Sequence, residues 1–222
     1  MNDLEKFFQS NNEKNINKWL HYFDIYEENF SKYRNKKITV LEIGVFRGGS
    51  LKMWKNYFKD ESLIVGIDIN PNCKKFESKD TKIFIGDQTD QNFLNKVIKT
   101  IGKPDIIIDD GGHTSNQQIT TFNNLYNKLN DQGTYLVEDT HSSYHPKFQD
   151  REDNFTFIEY AKSLSDKLNF WYQCNDYKIY KNEIKEEIDT PYFTKNTYKI
   201  SFYNSIVVFE KKQIQTPRSI LK

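Results

Sequence analysis

The sequence predicts an α/β protein whose seven-stranded sheet is mostly parallel, with helices on both faces and an antiparallel hairpin at the C-terminal end. Short apolar runs alternate with amphipathic helical patterns through most of the chain, which is the order of βαβ units. The run 106–108 is entirely β-branched and lies between a proline and two glycines, as expected of a strand buried on both faces. Residues 198–210 contain two β-rich runs, which indicate the closing hairpin.

Each element follows from its own pattern. The parallel strands are expected at 38–43, 63–69, 81–85, 106–108 and 134–139. Helical patterns cover much of 1–34 and then 51–58, 90–101, 115–130 and 154–170. In the first of these, Lys18, His21 and Tyr22 could face a site from outside. We therefore expect an N-terminal helical segment (1–36) near the active site, one α/β domain (37–210) with a lid or insertion at 171–196, and a loose tail (211–222).

Composition limits the classes of function. The 222 residues suit a single domain, and 32 Lys+Arg against 31 Asp+Glu leave no basic field to attract nucleic acid. No apolar stretch approaches the length of a membrane span, and the N-terminus lacks the apolar region of a secretory signal. Two cysteines, Cys73 and Cys174, are too few for a disulfide framework. We expect a cytoplasmic protein without membrane or nucleic-acid partners, and the sequence leaves a homo-oligomer open.

Paired acids follow two strands that are expected to be neighbours. Asp109 and Asp110 end the strand 106–108, with His113 behind them, and Glu138 and Asp139 end the next strand. Ligands of open α/β sheets bind at the carboxyl ends of the strands. Acids gathered there repel one another unless protons or a cation intervene, and oxygen ligands suit a hard divalent cation. The alternative is that these aspartates cap helices or close turns, and that the histidine only packs.

A glycine turn follows the first strand. Its glycines, Gly44, Gly48 and Gly49, do not match the GxGxxG spacing, so the turn alone is a weak signal. Glu42, at the end of the strand, would repel a pyrophosphate but can meet an ammonium group. The residues therefore favour a cofactor that carries an amino acid. Asp68 lies about 20 residues further on, where Rossmann-like folds place an acid on ribose hydroxyls.

Five motifs along the chain together carry a family resemblance. The motifs LEIGVFRGGSLKMWKNYF, VGIDINP, FIGDQTD, IIIDDGGH and YLVEDTHSSY, in this order, resemble S-adenosylmethionine-dependent O-methyltransferases of the macrocin and mycinamicin (macrolide sugar) type. The upstream NKWLHYFDIY and the terminal ISFYNSIVVFEK also resemble that family, so the likeness spans about residues 15–210. It implies a Rossmann-like class I methyltransferase fold.

The resemblance also implies roles for single residues. S-adenosylmethionine would be bound at its methionine end by Glu42, Gly44, Gly48 and Ser50, at its ribose by Asp68, and at its adenine by Asp87 and Gln88, with Asp109 counted among the cofactor-binding residues. A magnesium ion would be held by Asp110, Glu138 and Asp139. His113 would act as general base, and weaker candidates for contact with the acceptor are Tyr22, His141 and Tyr144.

The expected function is metal-dependent transfer of a methyl group to a hydroxyl of a sugar or a glycosylated small molecule. Two alternatives stay open: an acceptor that is another diol-bearing small molecule, and a non-catalytic S-adenosylmethionine-binding module. A dinucleotide oxidoreductase is disfavoured by Glu42 and the glycine spacing. The chain lacks the extra N-terminal domain of longer family members, and 171–196 matches nothing in them, so the acceptor is not implied.

Overall fold

The structure is a computed structural model that describes residues 1–173 and 189–222. Within these residues the strands are β1 (Thr39–Ile43), β2 (Leu63–Asp68), β3 (Thr81–Ile85), β4 (Ile106–Asp109), β5 (Thr134–Val137), β6 (Thr197–Tyr203) and β7 (Ile206–Lys211). They form one sheet in the order β3-β2-β1-β4-β5-β7-β6. The first five strands are parallel, and β7 is antiparallel to both β5 and β6. The predicted fold class is confirmed.

Helices lie on both sides of this sheet. They are α1 (Asp3–Ser10), α2 (Tyr22–Phe30), α3 (Gly49–Tyr57), α4 (Gln91–Ile101), α5 (Ser115–Leu125), α6 (Phe157–Leu168), α7 (Phe170–Gln173) and α8 (Tyr192–Asn196). The helical pattern predicted over 1–34 becomes two helices, and residues 11–21 between them run without regular helix. Of the lid or insertion predicted at 171–196, residues 174–188 lie outside the described part of the chain.

The central strands are apolar on both faces because both faces are covered. Val40 and Ile106 belong to one buried cluster, and their chain neighbours Leu41 and Ile107 belong to the other. All four side chains are fully buried. Burial of one such side chain contributes roughly 1.5–3 kcal/mol, so continuous β-branched runs stabilise the centre of the sheet most strongly.

An aromatic contact fixes α2 against this core. The ring of Trp54 in α3 lies edge-on to Tyr26 at 5.1 Å and to Phe30 at 5.8 Å. Aromatic pairs in this geometry are worth about 0.5–1.5 kcal/mol beyond their buried area. The N-terminal segment is therefore anchored beside the sheet, and the stretch just before α2 is carried to the carboxyl ends of the strands.

The strand order contains one reversal that matters for function. From β1 the chain proceeds outward through β2 and β3, and from β4 it proceeds in the opposite direction to β5. The strands β1 and β4 are hydrogen-bonded neighbours. A crevice opens where two neighbouring parallel strands send their connections to opposite sides, and it is the usual ligand site of such sheets.

Candidate active site

A cavity of about 430 Å³ lies beyond the carboxyl ends of β1, β2 and β4. Its volume is within the range of roughly 300–1,000 Å³ that is typical of small-molecule sites. The predicted site residues that line it are Gly44, Asp68, Asp87, Gln88, Asp110, His113 and Asp139. The wall thus joins residues predicted for the cofactor to residues predicted for metal and proton transfer.

Gly44 makes the close approach between two loops possible. It has φ +93°, and a Cβ placed there would lie 2.0 Å from the carbonyl oxygen of Asp110. Its own N–H donates to Ile67 O at 2.8 Å, and the N–H of Asp110 donates to Ile43 O at 3.0 Å. The turn after β1 and the loop after β4 are therefore packed backbone to backbone, which leaves the cavity open beside them.

Asp68 is held as a charged group at the mouth of the cavity. Its Oδ2 accepts from the backbone N–H groups of Val45 and Phe46 at 2.9 and 3.0 Å. Its Oδ1 accepts from Asn70 N at 2.8 Å. Burial opposes ionisation, but these backbone donors hold the pKa of Asp68 below its usual value.

Asp109 and Gln88 hold the loop after β4 in place through hydrogen bonds. Gln88 donates to Asp109 Oδ1 at 3.2 Å and accepts from Gly112 N at 2.8 Å. Burial raises the pKa of Asp109 to about 7. Asp109 is fully buried and does not line the cavity, so its contact with a cofactor stays a prediction, and its observed contacts hold the loop.

Three side chains at the inner end of the cavity converge. Asp110, His113 and Asp139 each offer a ligand atom, and these atoms all lie within 4.8 Å of one another. His113 Nε2 is 3.6 Å from Asp139 Oδ2 and 3.8 Å from Asp110 Oδ1. All three side chains are partly exposed to the cavity, at 22 to 27%. We call them the inner cluster.

Backbone strain coincides with this cluster. His113 has φ 60°, Asp139 has φ 53°, and Phe46, across the cavity, has φ 51°. Non-glycine residues in the left-handed region cost about 1–3 kcal/mol each, and such residues concentrate where function requires a fixed orientation. His113 is held in place because α5 begins immediately after it, with Thr114 and Gln117 forming a capping box.

Glu138 does not line the cavity, and Lys18 bridges it to Asp110 of the inner cluster. Its Oε2 is 2.6 Å from Lys18 Nζ, and its Oε1 accepts from the Tyr26 hydroxyl at 2.7 Å. The same ammonium group lies 2.6 Å from Asp110 Oδ2 and 4.0 Å from Glu42 Oε1. The predicted metal set of Asp110, Glu138 and Asp139 is therefore divided: two of its members face the cavity, and Glu138 is buried against a lysine.

Glu42 and Ser50 are neighbours but lie beneath the cavity wall. Glu42 is fully buried and accepts from Ser50 Oγ at 2.7 Å and from Trp54 Nε1 at 3.1 Å. Burial raises its pKa to about 7. Gly48, with φ 73°, is the N-cap of α3 and packs on Phe76. None of these three predicted cofactor residues lines the cavity.

Two of the three predicted acceptor residues adjoin the inner cluster. The Tyr22 hydroxyl donates to Asp139 Oδ1 at 2.6 Å. His141 Nδ1 is 3.9 Å from the same oxygen and 2.6 Å from Ser205 Oγ. Tyr144 is 71% exposed and does not line the cavity.

The structure places three residues of the segment before α2 at or beside the site, of which only Lys18 was predicted to face a site. Asn17 lines the cavity, Lys18 lies beneath the inner cluster, and Trp19 lies outside it with its ring 6.0 Å from that of His141. Trp19 is 57% exposed. Asn17 and Trp19 have no signal in the sequence except their position just before Tyr22, because segment 11–21 has no regular structure that periodicity could reveal.

Comparisons with known proteins identify relatives of this chain. The chain is 39% identical over 163 residues to 8-demethyl-8-alpha-L-rhamnosyl tetracenomycin-C 2'-O-methyltransferase of Streptomyces olivaceus, covering 68% of this chain and 43% of that protein. It is 35% identical over 162 residues to mycinamicin VI 2''-O-methyltransferase of Micromonospora griseorubida, covering 68% of this chain and 40% of that protein. No protein-family model matches the sequence.

A solved structure shows the same fold. It is MycE methyltransferase from the mycinamycin biosynthetic pathway in complex with Mg, S-adenosylhomocysteine and mycinamycin VI, at a TM-score of 0.79 and 27% identity. The match covers 96% of this chain and 54% of that one. The sequence matches cover 43% and 40% of the two curated relatives named above, so the chain spans less than half of their length. None of the helices in the described residues is long and apolar enough to cross a membrane.

Proposed function

We propose that this chain, a homologue of sugar O-methyltransferases, transfers the methyl group of S-adenosylmethionine to a hydroxyl of a sugar or glycosylated small molecule. The observation that carries the proposal is the inner cluster, in which two carboxylates and an imidazole meet at the end of a cofactor-sized cavity. A diol-bearing small molecule is the second candidate acceptor, since two adjacent hydroxyls are what a metal held by two carboxylates can chelate.

The cofactor would lie along the outer part of the cavity. Asp68, ionised and fixed by backbone donors, is positioned to accept hydrogen bonds from ribose hydroxyls. Asp87 and Gln88 line the wall beyond it, where the adenine would lie. Gly44 lines the cavity next to the loop that carries Asp110, and the methionine end would lie there. The sulfonium methyl would then face the inner cluster.

A hard divalent cation fits the donors of the inner cluster. Mg²⁺ prefers oxygen ligands in octahedral geometry and keeps several sites for water or substrate, and Asp110 and Asp139 supply the carboxylates. Imidazole suits softer metals, so we leave His113 outside the proposed ligand set. When bound, the ion orients the acceptor and lowers the pKa of its hydroxyl. Glu138 joins this set only if Lys18 releases it.

His113 is the proposed general base. Its Nε2 faces the space between the two carboxylates, and no hydrogen-bond partner within the described residues occupies Nδ1. Methyl transfer is an in-line displacement at carbon, so the acceptor oxygen must lose its proton as the bond forms. His113 Nε2 would take that proton, and the strained backbone would keep the ring directed at the acceptor.

Trp19 is the proposed contact for the acceptor outside the cluster. Its exposed ring stands beside His141, which adjoins Asp139. Replacement of Trp19 by alanine is expected to raise KM for a glycoside about tenfold, because an apolar ring face contributes roughly 1.5–3 kcal/mol, and to change kcat less than about threefold. Tyr198→Ala, at an equally exposed aromatic on β6, is the matched control. A KM that stays within twofold of wild type contradicts the assignment.

Radiolabelled methyl transfer tests the function. Purified protein, S-[methyl-¹⁴C]adenosylmethionine and Mg²⁺ are incubated with p-nitrophenyl α-L-rhamnoside, and a catechol is offered in a parallel reaction. We expect label on the glycoside, loss of transfer with EDTA, and recovery when Mg²⁺ is restored. Label on the catechol alone supports the second candidate. Calorimetric binding of S-adenosylmethionine without transfer to a panel of glycosides and diols contradicts an enzymatic role.

Charge balance bears on the kind of partner. The near balance of 32 basic and 31 acidic residues supports a small-molecule acceptor over a nucleic acid. A cytoplasmic location is part of the proposal, because S-adenosylmethionine and Mg²⁺ are both available there.

A further inference from the structure

Lys18 is a buried cation among acids. Its side chain is 3% exposed, and its Nζ lies 2.6 Å from Asp110 Oδ2, 2.6 Å from Glu138 Oε2 and 4.0 Å from Glu42 Oε1. Burial disfavours a charged ammonium group, but three carboxylates around Nζ, two of them at hydrogen-bond distance, stabilise its charge. The ammonium group therefore occupies a position that a metal ion would compete for.

The acids around Lys18 depend on it. Glu138 is 1% exposed, and its other neighbour, the hydroxyl of Tyr26, carries no charge. Asp110 Oδ2 accepts a hydrogen bond from Lys18 Nζ, and Asp110 Oδ1 faces His113 Nε2. Without a cation between them, the two carboxylates would face each other in a poorly solvated space, which is strongly unfavourable.

We propose that Lys18 is a positioning residue of the metal site: it holds Asp110 and Glu138 together as a resident counter-ion and competes with a divalent cation for them. This inference rests on the metal site of the proposed function but not on methyl transfer. The ion and the ammonium group share Asp110, and only displacement of Lys18 makes Glu138 available as a further oxygen ligand. Segment 11–21 thereby takes part in metal binding although it lies outside the sheet.

Tyr22 lies close to Lys18 in the sequence and also contacts an acid of the proposed metal site. Its hydroxyl donates to Asp139 Oδ1, whereas Asp139 Oδ2 faces His113. Tyr22 is uncharged, so it orients a carboxylate without competing for it. Loss of such a supporting hydrogen bond weakens metal affinity, typically by about 10–100-fold. Lys18 and Tyr22 therefore lead to opposite expectations.

The test is Mn²⁺ binding by the full chain after removal of metals, measured from the electron paramagnetic resonance signal of free Mn²⁺. We expect Lys18→Met to bind Mn²⁺ at least about tenfold more tightly than wild type, because a positive charge next to the ion is lost. The same variant without metal should unfold about 10 °C lower, and Mn²⁺ should restore its unfolding temperature. Tyr22→Phe should bind Mn²⁺ about tenfold more weakly.

Two variants away from the acids serve as matched controls. Lys52→Met removes a lysine from an exposed pair with Glu13, and Tyr33→Phe removes a hydroxyl that bonds Gln132 O, so both should bind Mn²⁺ as wild type does. If Lys18→Met does not fold, Lys18→Gln keeps a polar group and carries the same expectation.

A merely structural lysine would lower stability and Mn²⁺ affinity together. Unchanged or weaker Mn²⁺ binding by the Lys18 variant therefore overturns the inference, as does absence of binding in both proteins. Failure of the methyl-transfer assay leaves this readout unaffected, so the two proposals fail separately.

Discussion

His113→Asn is expected to lower kcat for methyl transfer by about 10²–10⁴-fold, the usual contribution of a general base. Asparagine is the informative substitution because it tolerates the left-handed backbone that His113 adopts at φ 60°. The loss can then be assigned to the missing imidazole and not to a displaced loop. The measurement is single-turnover transfer with saturating S-adenosylmethionine and Mg²⁺.

Two companion measurements separate chemistry from binding. The affinity for S-adenosylmethionine should stay within about twofold, because the cofactor contacts proposed for Asp68 and Gly44 are untouched. His145→Asn, at an exposed histidine in the segment after β5, should leave kcat unchanged. If His113→Asn retains a fifth or more of wild-type kcat, another group takes the proton and the proposed role is wrong.

The sheet could be predicted from the sequence because its central strands have no polar side. Where both faces are covered, β-branched runs must be strands, and the glycine and proline positions between them mark the turns. The ends of the elements were predicted less accurately than their positions. The helix expected over 115–130 ends at Leu125, and the chain continues as a short 3₁₀ turn to Lys128. Local hydrogen bonding decides such ends, and periodicity does not report it.

Strand alternation explains why some of the predicted acids line the cavity and others are buried. The sequence contains this signal, but the predicted metal ligands were chosen without it. Side chains on a strand alternate between faces. Glu138 follows Leu136 by two residues and shares its face, where α2 and Lys18 lie. Asp109 falls on the opposite face, against Gln88. The residues that reach the cavity come after the strands have ended: Asp110 lies one residue past β4, and Asp139 lies two residues past β5.

Lys18 could not be placed by such reasoning. It lies 92 residues from Asp110 and 120 from Glu138 along the chain, in a segment without a repeating pattern. Its contact with the acids depends on how α2 packs against α3, which is a property of the whole core. The sequence therefore indicated which acids reach this edge of the sheet and that Lys18 could face a site, but not that its ammonium group lies between Asp110 and Glu138.

Asp139→Asn is expected to weaken Mg²⁺ and Mn²⁺ binding by at least about 100-fold, more than the loss of a supporting hydrogen bond, because a charged ligand becomes a neutral amide. The substitution isolates that charge. Asparagine tolerates φ 53°, and its amide oxygen can still accept from Tyr22. Methyl transfer at a fixed, subsaturating Mg²⁺ concentration should fall in parallel, and S-adenosylmethionine binding should not change.

Metal titration distinguishes this loss from damage to the base. Since the ion is expected to bind more weakly, high Mg²⁺ should recover part of the activity of Asp139→Asn, whereas no Mg²⁺ concentration should recover His113→Asn. Asp24→Asn, at an exposed aspartate of α2, serves as the matched control and should behave as wild type. Mg²⁺ affinity unchanged by Asp139→Asn would place the ion away from the inner cluster, because a carboxylate that binds a divalent cation cannot lose its charge without loss of affinity.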